Sequence, residues 1–590
     1  MASIPTGTNG VTTLFHAKEP VRVSVCSTSK KRAGSTYDAR VRLNCATAQT
    51  RSRRIVALSW LVFVTACADA VPHETANGGF PCTEPVRTTS GTLYGKAGRS
   101  SSCAWLGIQY GRDTGRENRF RAPRPYASSS DIDATSYGTD CVQGETAFLS
   151  ASGVSEDCLF LNVWRPATVA SDPLPVMVFI HGGLFQLGGS SWFLYDGADL
   201  AAHGVVVVTL NYRLGPFGFF FNPVTGAGKE ANGTFGLLDQ ILALEWVRDN
   251  IAAFGGNPEQ VTVFGESSGA MAICELIASP ASEGLFRRAI IQSGNCLARS
   301  PEVAASGMRA YLEQLGCPAT GQDSLDCLRS VSAESLLAAV DPADSRFFSP
   351  HVDGVVLPTQ PQEAFTRGTV QVVDILAGYN ADDFSVPHLD DILRALGGMD
   401  WGDLWRFVGT RFSAEEARVL RELYPQERYE SPWRLWLDVD GDVLFVCSVR
   451  AALQVHSRHA ATWLYEFRLG DDAYDLARYL GTFHSMDVPY VFGNYDLLNW
   501  LFHNDDGAAR IVALSERLQR YWTRFARDGD PNGDGDPQWL PFDAGDVTFQ
   551  LGEQAGPLYE YKRTQCAFWM ERLPDDFGSL ERYSSRLWGD

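Results

Sequence analysis

The segment Val261–Ala270, VTVFGESSGA, predicts the turn that decides the fold. Its first four residues are an apolar, β-branched run, which is typical of a short buried strand. The next five residues match the pattern G-x-S-x-G, in which a serine stands on a sharp turn from a strand into a helix. Gly265 and Gly269 are needed because side chains there would collide with the neighbouring strand and helix. Ser267 is therefore a candidate nucleophile, although the pentapeptide by itself is common in plain loops.

Strand-like and helix-like segments alternate on both sides of this turn. Short apolar runs predict buried strands, and one long segment with helical spacing of its apolar residues predicts a helix. The predicted strands are Val176–Ile180, Val205–Leu210, Val261–Phe264, Ala289–Gln292 and Val373–Ala377, and the predicted helix is Leu237–Ala252. Val86–Gly95 alternates around a Ser-Gly turn and predicts a hairpin. This alternation predicts an α/β fold with a large, mostly parallel central sheet and helices on both faces.

The 590-residue chain has the composition of a globular protein, with 45% hydrophobic and 20% charged residues. Its formal net charge of −20 argues against nucleic acid as a partner, because phosphate binding requires a basic surface. No apolar run approaches the length of a transmembrane helix. Thirteen cysteines indicate an oxidising compartment with structural disulfides.

The N-terminal segment differs in charge from the remainder of the chain. Residues 1–54 contain ten Lys/Arg and two Asp/Glu, and the apolar run Ile55–Val64 follows them. A basic patch, a short apolar core and small residues predict an export signal rather than a spanning helix. Cys67 would be the lipidated first residue if the run ends in a bacterial lipobox, whereas ordinary cleavage would follow Ala68 or Ala70. An Arg-rich organelle transit peptide also fits residues 1–54, but it suits a disulfide-containing protein poorly.

These features divide the chain into four parts. Residues 1–70 form the basic extension and signal segment, 71–82 a linker, 83–577 a single α/β domain and 578–590 a C-terminal tail. As a hypothesis, residues 1–50 lie upstream of the translated start, because a signal usually begins close to its basic patch. We expect an exported protein, which is secreted, periplasmic or lipid-anchored at the cell envelope.

A series of sequence blocks from about residue 83 to about residue 574 carries a family resemblance. The blocks include WLGIQY, SEDCLFLNVW, FIHGG, NYRLGPFGF, VTVFGESSGA, IIQSG, GYNADDF, GTFHSMDVPYVFG, FARDGDPN and QCAFWMERL. In these blocks and their order the chain resembles the type-B carboxylesterases, which include cholinesterases, liver carboxylesterases, bacterial esterases and some fungal lipases. The resemblance implies the α/β-hydrolase fold and a serine hydrolase that acts on carboxylic esters.

A serine hydroxyl needs a base within hydrogen-bond reach and an acid that orients the base. Among ten histidines, His484 lies late in the chain, where the resemblance places the base. The expected order of serine, acid and histidine puts the acid between Ser267 and His484. The glutamate of the family falls on Asp383, which is one methylene shorter, and Phe384 replaces the usual glycine after it. We expect Asp383 to orient His484, with Asp382 as the alternative acid.

Acyl transfer also needs N–H donors that point at the developing oxyanion. The resemblance assigns one to the backbone N–H of Ser268, where the family usually has alanine. The others come from the loop His181–Phe185, in which a usual run of three glycines maps the donors onto Gly183 and Leu184. We expect the Leu184 side chain to narrow the acyl side of the pocket. Glu266, beside the nucleophile, is expected to line the site and to support the histidine electrostatically.

The resemblance implies three disulfides, which join Cys141 to Cys158, Cys317 to Cys327 and Cys447 to Cys566. The last of them would hold the C-terminal helix to the body of the protein. Cys82 with Cys103 and Cys274 with Cys296 are candidates for further pairs, since sequence alone does not fix the connectivity. A free buried thiol is the alternative for Cys274.

Metal and cofactor motifs are not predicted. Asp528–Gly533 matches the first half of an EF-hand loop, but the twelfth position is Trp539 instead of the glutamate that calcium needs. No zinc-binding spacing and no phosphate loop stands out. We therefore expect neither a metal nor a cofactor, and a small-molecule ester as the partner.

The predicted function is that of a serine carboxylic-ester hydrolase, which acts on a small or medium ester through an acyl-enzyme. A lipase, a thioesterase or an amidase would use the same site. A non-catalytic adhesion protein is a rival from another class, because this fold also serves as a binding module that has lost its nucleophile. The presence of Ser267 and His484 argues against that rival. Any contact with a membrane would depend on a lipid anchor at Cys67.

Overall fold

The computed structural model describes residues 81–144, 153–168, 171–221, 233–318, 322–340, 348–383, 400–470, 481–494 and 505–572, with a short strand pair nearer the N-terminus. The chain divides into two compact units, Met1–Thr65 and Ala66–Asp590. In the first unit only the antiparallel pairing of Val25–Cys26 with Cys45–Ala46 is described. The predicted signal run, Cys67, the C-terminal tail and Phe384 lie outside the described residues.

Among the described residues, eleven strands form one central sheet. In chain order they are β1 Lys96–Ala97, β2 Ser102–Gln109, β3 Phe160–Pro166, β4 Leu174–Ile180, β5 Val206–Leu210, β6 Gly256–Glu266, β7 Arg288–Gln292, β8 Asp374–Asn380, β9 Thr462–Arg468, β10 Val547–Gly552 and β11 Gly556–Tyr559. Their order in space is β11-β10-β9-β8-β7-β6-β4-β5-β3-β2-β1. The strands from β10 to β5 in this order run parallel, and the strands at both edges are antiparallel. The predicted α/β fold with a mostly parallel sheet is confirmed.

The predicted strands lie within or next to the observed ones. The elbow strand is longer than predicted, since β6 begins at Gly256 and pairs with β4 through Val176 and Val261 after a register shift. All five residues of β5 are buried, as expected for a parallel strand covered on both faces. The predicted hairpin is confirmed too, with Val86–Thr88 antiparallel to Gly91–Tyr94.

The helices connect these strands and cover the sheet. They are α1 Ala198–Ala201, α2 Gly215–Gly218, α3 Phe235–Asn250, α4 Ser268–Ala278, α5 Pro301–Gln314, α6 Gln322–Ser330, α7 Ala333–Ala338, α8 Pro361–Arg367, α9 Trp401–Arg411, α10 Ala414–Leu423, α11 Pro432–Gly441, α12 Cys447–His456, α13 Val488–Phe492, α14 Asp505–Asp528 and α15 Arg563–Met570. The predicted helix is therefore α3, shifted by two residues at each end. No helix in the described part of the chain is both long and apolar enough to cross a membrane.

Two separate apolar cores lie on the two faces of the sheet. Along β4, Val176 and Val178 belong to the core that includes α3 and α4. The alternate residues Met177 and Phe179 belong to the core that includes α13 and α14. Successive side chains of a strand point to opposite faces, so helices cover both faces, as predicted.

Five disulfides tie the loops and helices to this scaffold. They join Cys82 to Cys103, Cys141 to Cys158, Cys274 to Cys296, Cys317 to Cys327 and Cys447 to Cys566. The three pairs implied by the resemblance and the two further candidates are all present. The free-thiol alternative for Cys274 is wrong, because its sulfur is bonded to Cys296. Each disulfide is expected to stabilise the fold by about 2–4 kcal/mol.

One buried acid is left without a partner inside this scaffold. Glu275, on α4, is 1% exposed, and neither carboxyl oxygen has a hydrogen-bond partner among the described residues. Burial raises the pKa of this carboxyl well above its usual range. The folded state therefore holds the Glu275 proton to higher pH than the unfolded chain does, and stability falls as the pH rises above the usual pKa of glutamate.

Replacing Glu275 by Gln should stabilise the protein, and more at pH 8 than at pH 5. Glutamine keeps the shape of the side chain but cannot ionise, so the cost of keeping a buried carboxyl protonated disappears. We expect a gain in the free energy of unfolding at pH 8 of at least about 1.4 kcal/mol, the equivalent of one pKa unit. Urea unfolding at the two pH values measures it.

The exposed Glu283 provides the matched control, and Glu283→Gln should change stability little at either pH. Equal stability of wild type and Glu275→Gln at pH 8 would show that Glu275 carries no such cost.

Candidate active site

Ser267 stands on a strained turn between β6 and α4. Its backbone angles are φ 58° and ψ −127°, a region that non-glycine residues rarely adopt and that costs about 1–3 kcal/mol. Gly269 lets this turn approach β4, because a Cβ there would lie 2.2 Å from the carbonyl oxygen of Ile180. The Ser267 N–H donates to the carbonyl of Gln292 at 2.9 Å. The turn therefore holds the serine hydroxyl at the carboxyl edge of the sheet, as the sequence predicts.

His484 and Asp383 meet near this edge. Asp383 follows β8 and is 1% exposed, and its Oδ1 lies 2.7 Å from His484 Nδ1. Its other oxygen accepts the Asn380 N–H at 3.1 Å, which fixes the carboxylate. An imidazole whose Nδ1–H is held by a carboxylate presents Nε2 as the proton acceptor.

The neighbouring acid, Asp382, points elsewhere. Its Oδ2 accepts the Thr482 N–H at 2.8 Å, and its Oδ1 lies 3.2 Å from Arg434 Nε. Burial raises the pKa of Asp382, although Arg434 acts to lower it. Asp382 thus holds the chain that leads to His484, while Asp383 contacts the imidazole itself.

Glu266 contacts the second nitrogen of the imidazole. His484 Nε2 lies 3.1 Å from Glu266 Oε1, which also accepts a hydrogen bond from the Ser485 hydroxyl. Within the described part of the chain, no hydrogen bond joins Ser267 Oγ to His484. In this structure the imidazole is therefore held between two carboxyl groups.

The two groups of this contact have shifted pKa values. Burial by itself lowers the pKa of His484, but Glu266 and Asp383 outweigh it and raise that pKa to about 9. Burial raises the pKa of Glu266 to about 7, although His484 and Ser485 act to lower it. Asp487, a buried acid that accepts hydrogen bonds from Gln292 and Tyr465, adds to both upward shifts.

Three backbone N–H groups near Ser267 are available to an oxyanion. Those of Gly183, Leu184 and Ser268 donate to no acceptor among the residues that the structure describes. Gly183 has φ 113°, and a Cβ there would lie 2.1 Å from the Leu187 carbonyl oxygen, so this position requires glycine. Leu184 also adopts a left-handed φ of 58°, and its side chain is 55% exposed.

Sequence reasoning missed two hydroxyl contacts of the site. The Ser268 hydroxyl accepts the Phe185 N–H at 3.3 Å and so joins the start of α4 to the oxyanion loop. The Ser485 hydroxyl donates to Glu266. Ser268 was visible as a departure from the usual alanine, whereas nothing in the sequence indicates a partner for Ser485.

A metal site is not formed by the residues described. No group of three or more His, Cys, Asp or Glu side chains among them is arranged to hold a metal ion. In the segment that resembles an EF-hand, Asn532 instead bonds the backbone of Trp539 through both ends of its amide, at 2.7 and 2.8 Å. The arrangement as a whole can support nucleophilic attack by a serine, with proton transfer to an imidazole and N–H donors for an oxyanion.

Comparisons with known proteins identify the family of this chain. The model of the carboxylesterase family matches residues 83–569. The chain is 38% identical over 461 residues to the para-nitrobenzyl esterase of Bacillus subtilis (strain 168), which covers 75% of this chain and 90% of that protein. It is 33% identical over 539 residues to the cocaine esterase of Homo sapiens, with 85% and 94% covered. Among solved structures, a PNB esterase superposes with a TM-score of 0.69 at 34% identity and covers 82% of this chain and 98% of its own.

Replacing Glu266 by Gln should lower the pKa of His484 by at least about one unit. The carboxylate stabilises the protonated imidazole at Nε2, so its removal lets His484 lose its proton at lower pH. Titration of ¹³C-labelled histidines by NMR measures the change, with the His484 signal assigned through His484→Gln. The titrations of the other histidines serve as controls, and an unchanged His484 titration would mean that Glu266 is not the group that holds its proton.

Proposed function

Because the chain belongs to the carboxylesterase family and is a serine carboxylic-ester hydrolase, we propose that Ser267, His484 and Asp383 form its catalytic triad. The observation that carries this proposal is the 2.7 Å contact between His484 Nδ1 and Asp383, next to a serine on a strained strand-to-helix turn. The chain order of these three residues is the order expected of this fold.

The proposed reaction begins with attack of Ser267 Oγ on the carbonyl carbon of the ester. His484 Nε2 takes the hydroxyl proton, and Asp383 stabilises the imidazolium that forms. The N–H groups of Gly183, Leu184 and Ser268 bind the oxyanion of the tetrahedral intermediate. His484 then returns the proton to the departing alcohol, which leaves an acyl-enzyme. Water attacks the acyl-enzyme by the same route and releases the acid.

Glu266 adds a step to the proposed reaction. Its contact with Nε2 must give way before the imidazole can accept the proton of Ser267. Because the pKa of Glu266 is about 7, its carboxyl exchanges between the protonated and the ionised form near neutral pH. We propose that Glu266 supports the imidazolium during the reaction without being a member of the triad.

We further propose a small or medium ester as the substrate. Two relatives are named a para-nitrobenzyl esterase and a cocaine esterase, and their names motivate this substrate class. We propose that the Leu184 side chain, which is exposed and belongs to one of the proposed oxyanion donors, narrows the acyl side of the pocket. Lipase, thioesterase or amidase activity at the same site is the alternative, which turnover of long-chain esters, thioesters or amides would favour.

We propose export to an oxidising compartment, because five disulfides bind the domain together. In this proposal residues 1–70 are the extension and signal, 71–82 a linker, 83–577 the catalytic domain and 578–590 a tail. Lipidation at Cys67 and ordinary cleavage nearby differ in mass, so mass spectrometry of the mature N-terminus distinguishes them.

Ser267→Ala should abolish turnover of p-nitrophenyl esters, because no other hydroxyl would form the acyl-enzyme. We expect kcat to fall by at least about 10³-fold, with a residual rate from the oxyanion donors and substrate binding. An organophosphate should label wild type on Ser267, as located by peptide mass spectrometry, and should leave Ser267→Ala unlabelled. Turnover that persists in Ser267→Ala, or label on another residue, would refute the nucleophile.

Replacing Asp383 and Asp382 by asparagine, one at a time, should distinguish the roles of these two adjacent acids. Asp383→Asn should lower kcat by about 10⁴-fold, because an amide does not stabilise the imidazolium. Asp382→Asn should act mainly on stability, because Asp382 pairs with Arg434 and with the backbone of Thr482. Steady-state kinetics and melting temperatures of both variants measure this, and the opposite pattern would move the acid role to Asp382.

A further inference from the structure

A π turn interrupts the helical stretch that passes behind the imidazole. The segment Asp442–Val446 is π-helical and joins α11 to α12 without a break. A π turn contains one extra residue, which redirects the side chains that follow, and such turns occur often at functional sites. Here the redirected side chains include Phe445.

Phe445 stacks on the imidazole of His484. The two ring centroids lie 5.3 Å apart and the ring planes differ by 16°. Phe445 is 8% exposed, so its ring is fixed by packing. Asp383 and Glu266 hold the imidazole at its two nitrogens, in the plane of the ring, whereas Phe445 covers one of its faces.

Buried polar contacts hold the π turn at both of its sides. Asp442, fully buried, pairs with Lys562 and accepts the Tyr424 hydroxyl at 2.7 Å. The carbonyl of Leu444 accepts the Asn295 amide at 3.1 Å, from the loop that follows β7. The disulfide of Cys447 begins directly after the turn. The position of Phe445 is therefore set by contacts that do not depend on substrate.

We propose that Phe445 is a positioning residue for His484, which fixes the imidazole plane and stabilises its protonated form through the face of the phenyl ring. This inference rests on the proposed triad. A cation within about 6 Å of an aromatic centroid is attracted to the ring face. At a pH above the pKa of His484, where the imidazole starts neutral, it becomes such a cation when it takes the serine proton, so the interaction strengthens as the tetrahedral intermediate forms.

Other charged groups face the same imidazole and contribute to its titration. Glu266 is the last residue of β6, Asp383 follows β8, and Asp487 immediately precedes α13. All three carboxyl groups stabilise the protonated imidazole. They remain in place in a Phe445 variant, so a change at Phe445 should add to their effect instead of replacing it.

Phe445→Leu keeps an apolar side chain and removes the ring face. We expect kcat on the high-pH plateau to fall by about 2- to 30-fold, and the acidic limb of kcat/KM to move to lower pH by about 0.3 to 1.5 units. Both changes should be the same for p-nitrophenyl acetate and for longer p-nitrophenyl esters. Phe445→Tyr restores the ring face and should keep most of the activity and the wild-type pH limb.

Phe365 offers a matched control elsewhere in the fold. It is buried and packs against the imidazole of His456 with centroids 5.6 Å apart, and His456 Nε2 bonds the Val373 carbonyl. Phe365→Leu should therefore lower the melting temperature about as much as Phe445→Leu, without a change of the pH limb.

Two outcomes would overturn the inference. An unshifted pH limb together with an altered acyl-length preference would make Phe445 a residue that only lines the pocket. If Phe365→Leu lost as much activity as Phe445→Leu, the effect of Phe445→Leu on kcat would be explained by general destabilisation of the fold. The variant His484→Ala separates this inference from the proposed triad. If His484→Ala retains turnover, the triad itself is refuted. If His484→Ala loses turnover while Phe445→Leu behaves like wild type, only the role of Phe445 is refuted.

Discussion

The approach of the β6–α4 turn to β4 is the constraint on which the site depends. Gly269 lies so close to the Ile180 carbonyl that any side chain would collide, and Ser267 must take a left-handed backbone to let the helix begin there. The strain persists because the Gln292 carbonyl and the first turn of α4 fix the serine from both sides. A relaxed turn would allow the Ser267 hydroxyl to move away from the carboxyl edge of the sheet, where β4, β6 and β8 end. The strain is thus part of how the nucleophile is held in place.

Buried carboxyl groups form the second level of organisation. Asp383 and Glu266 contact the imidazole directly, while Asp487 lies behind them and accepts three hydrogen bonds from Gln292, Tyr465 and Asn380. Burial raises the pKa of Glu266 to about 7, whereas Glu266 and Asp383 outweigh the effect of burial on His484 and raise its pKa to about 9. Both pKa values are raised, and the imidazole still holds its proton more tightly than the Glu266 carboxyl does.

The sequence predicted the sheet and the turn well, because buried parallel strands and G-x-S-x-G leave local patterns. It favoured Asp383 over Asp382 only through the family resemblance, since both follow β8 and only the direction of each side chain separates them. That direction depends on Arg434 and Thr482, which are distant in sequence. Phe445 was equally hidden, because its contact with His484 depends on one extra residue in a helical turn. The length of β6 was underestimated, since Asn257, Glu259 and Gln260 are polar and Pro258 disfavours a strand, so the segment gives no strand signal.

The departures from the family pattern around the serine are physically linked. Where the resemblance leads one to expect a third glycine, Leu184 adopts a left-handed backbone, and Phe185 after it does the same. Two such residues in succession would leave the loop that carries Gly183 and Leu184 poorly fixed, unless another contact holds it. The Ser268 hydroxyl supplies that contact by accepting the Phe185 N–H, which an alanine could not do. Leucine in the loop and serine after the nucleophile are therefore linked, because the Ser268 hydroxyl holds the loop in which Leu184 and Phe185 take their left-handed backbone.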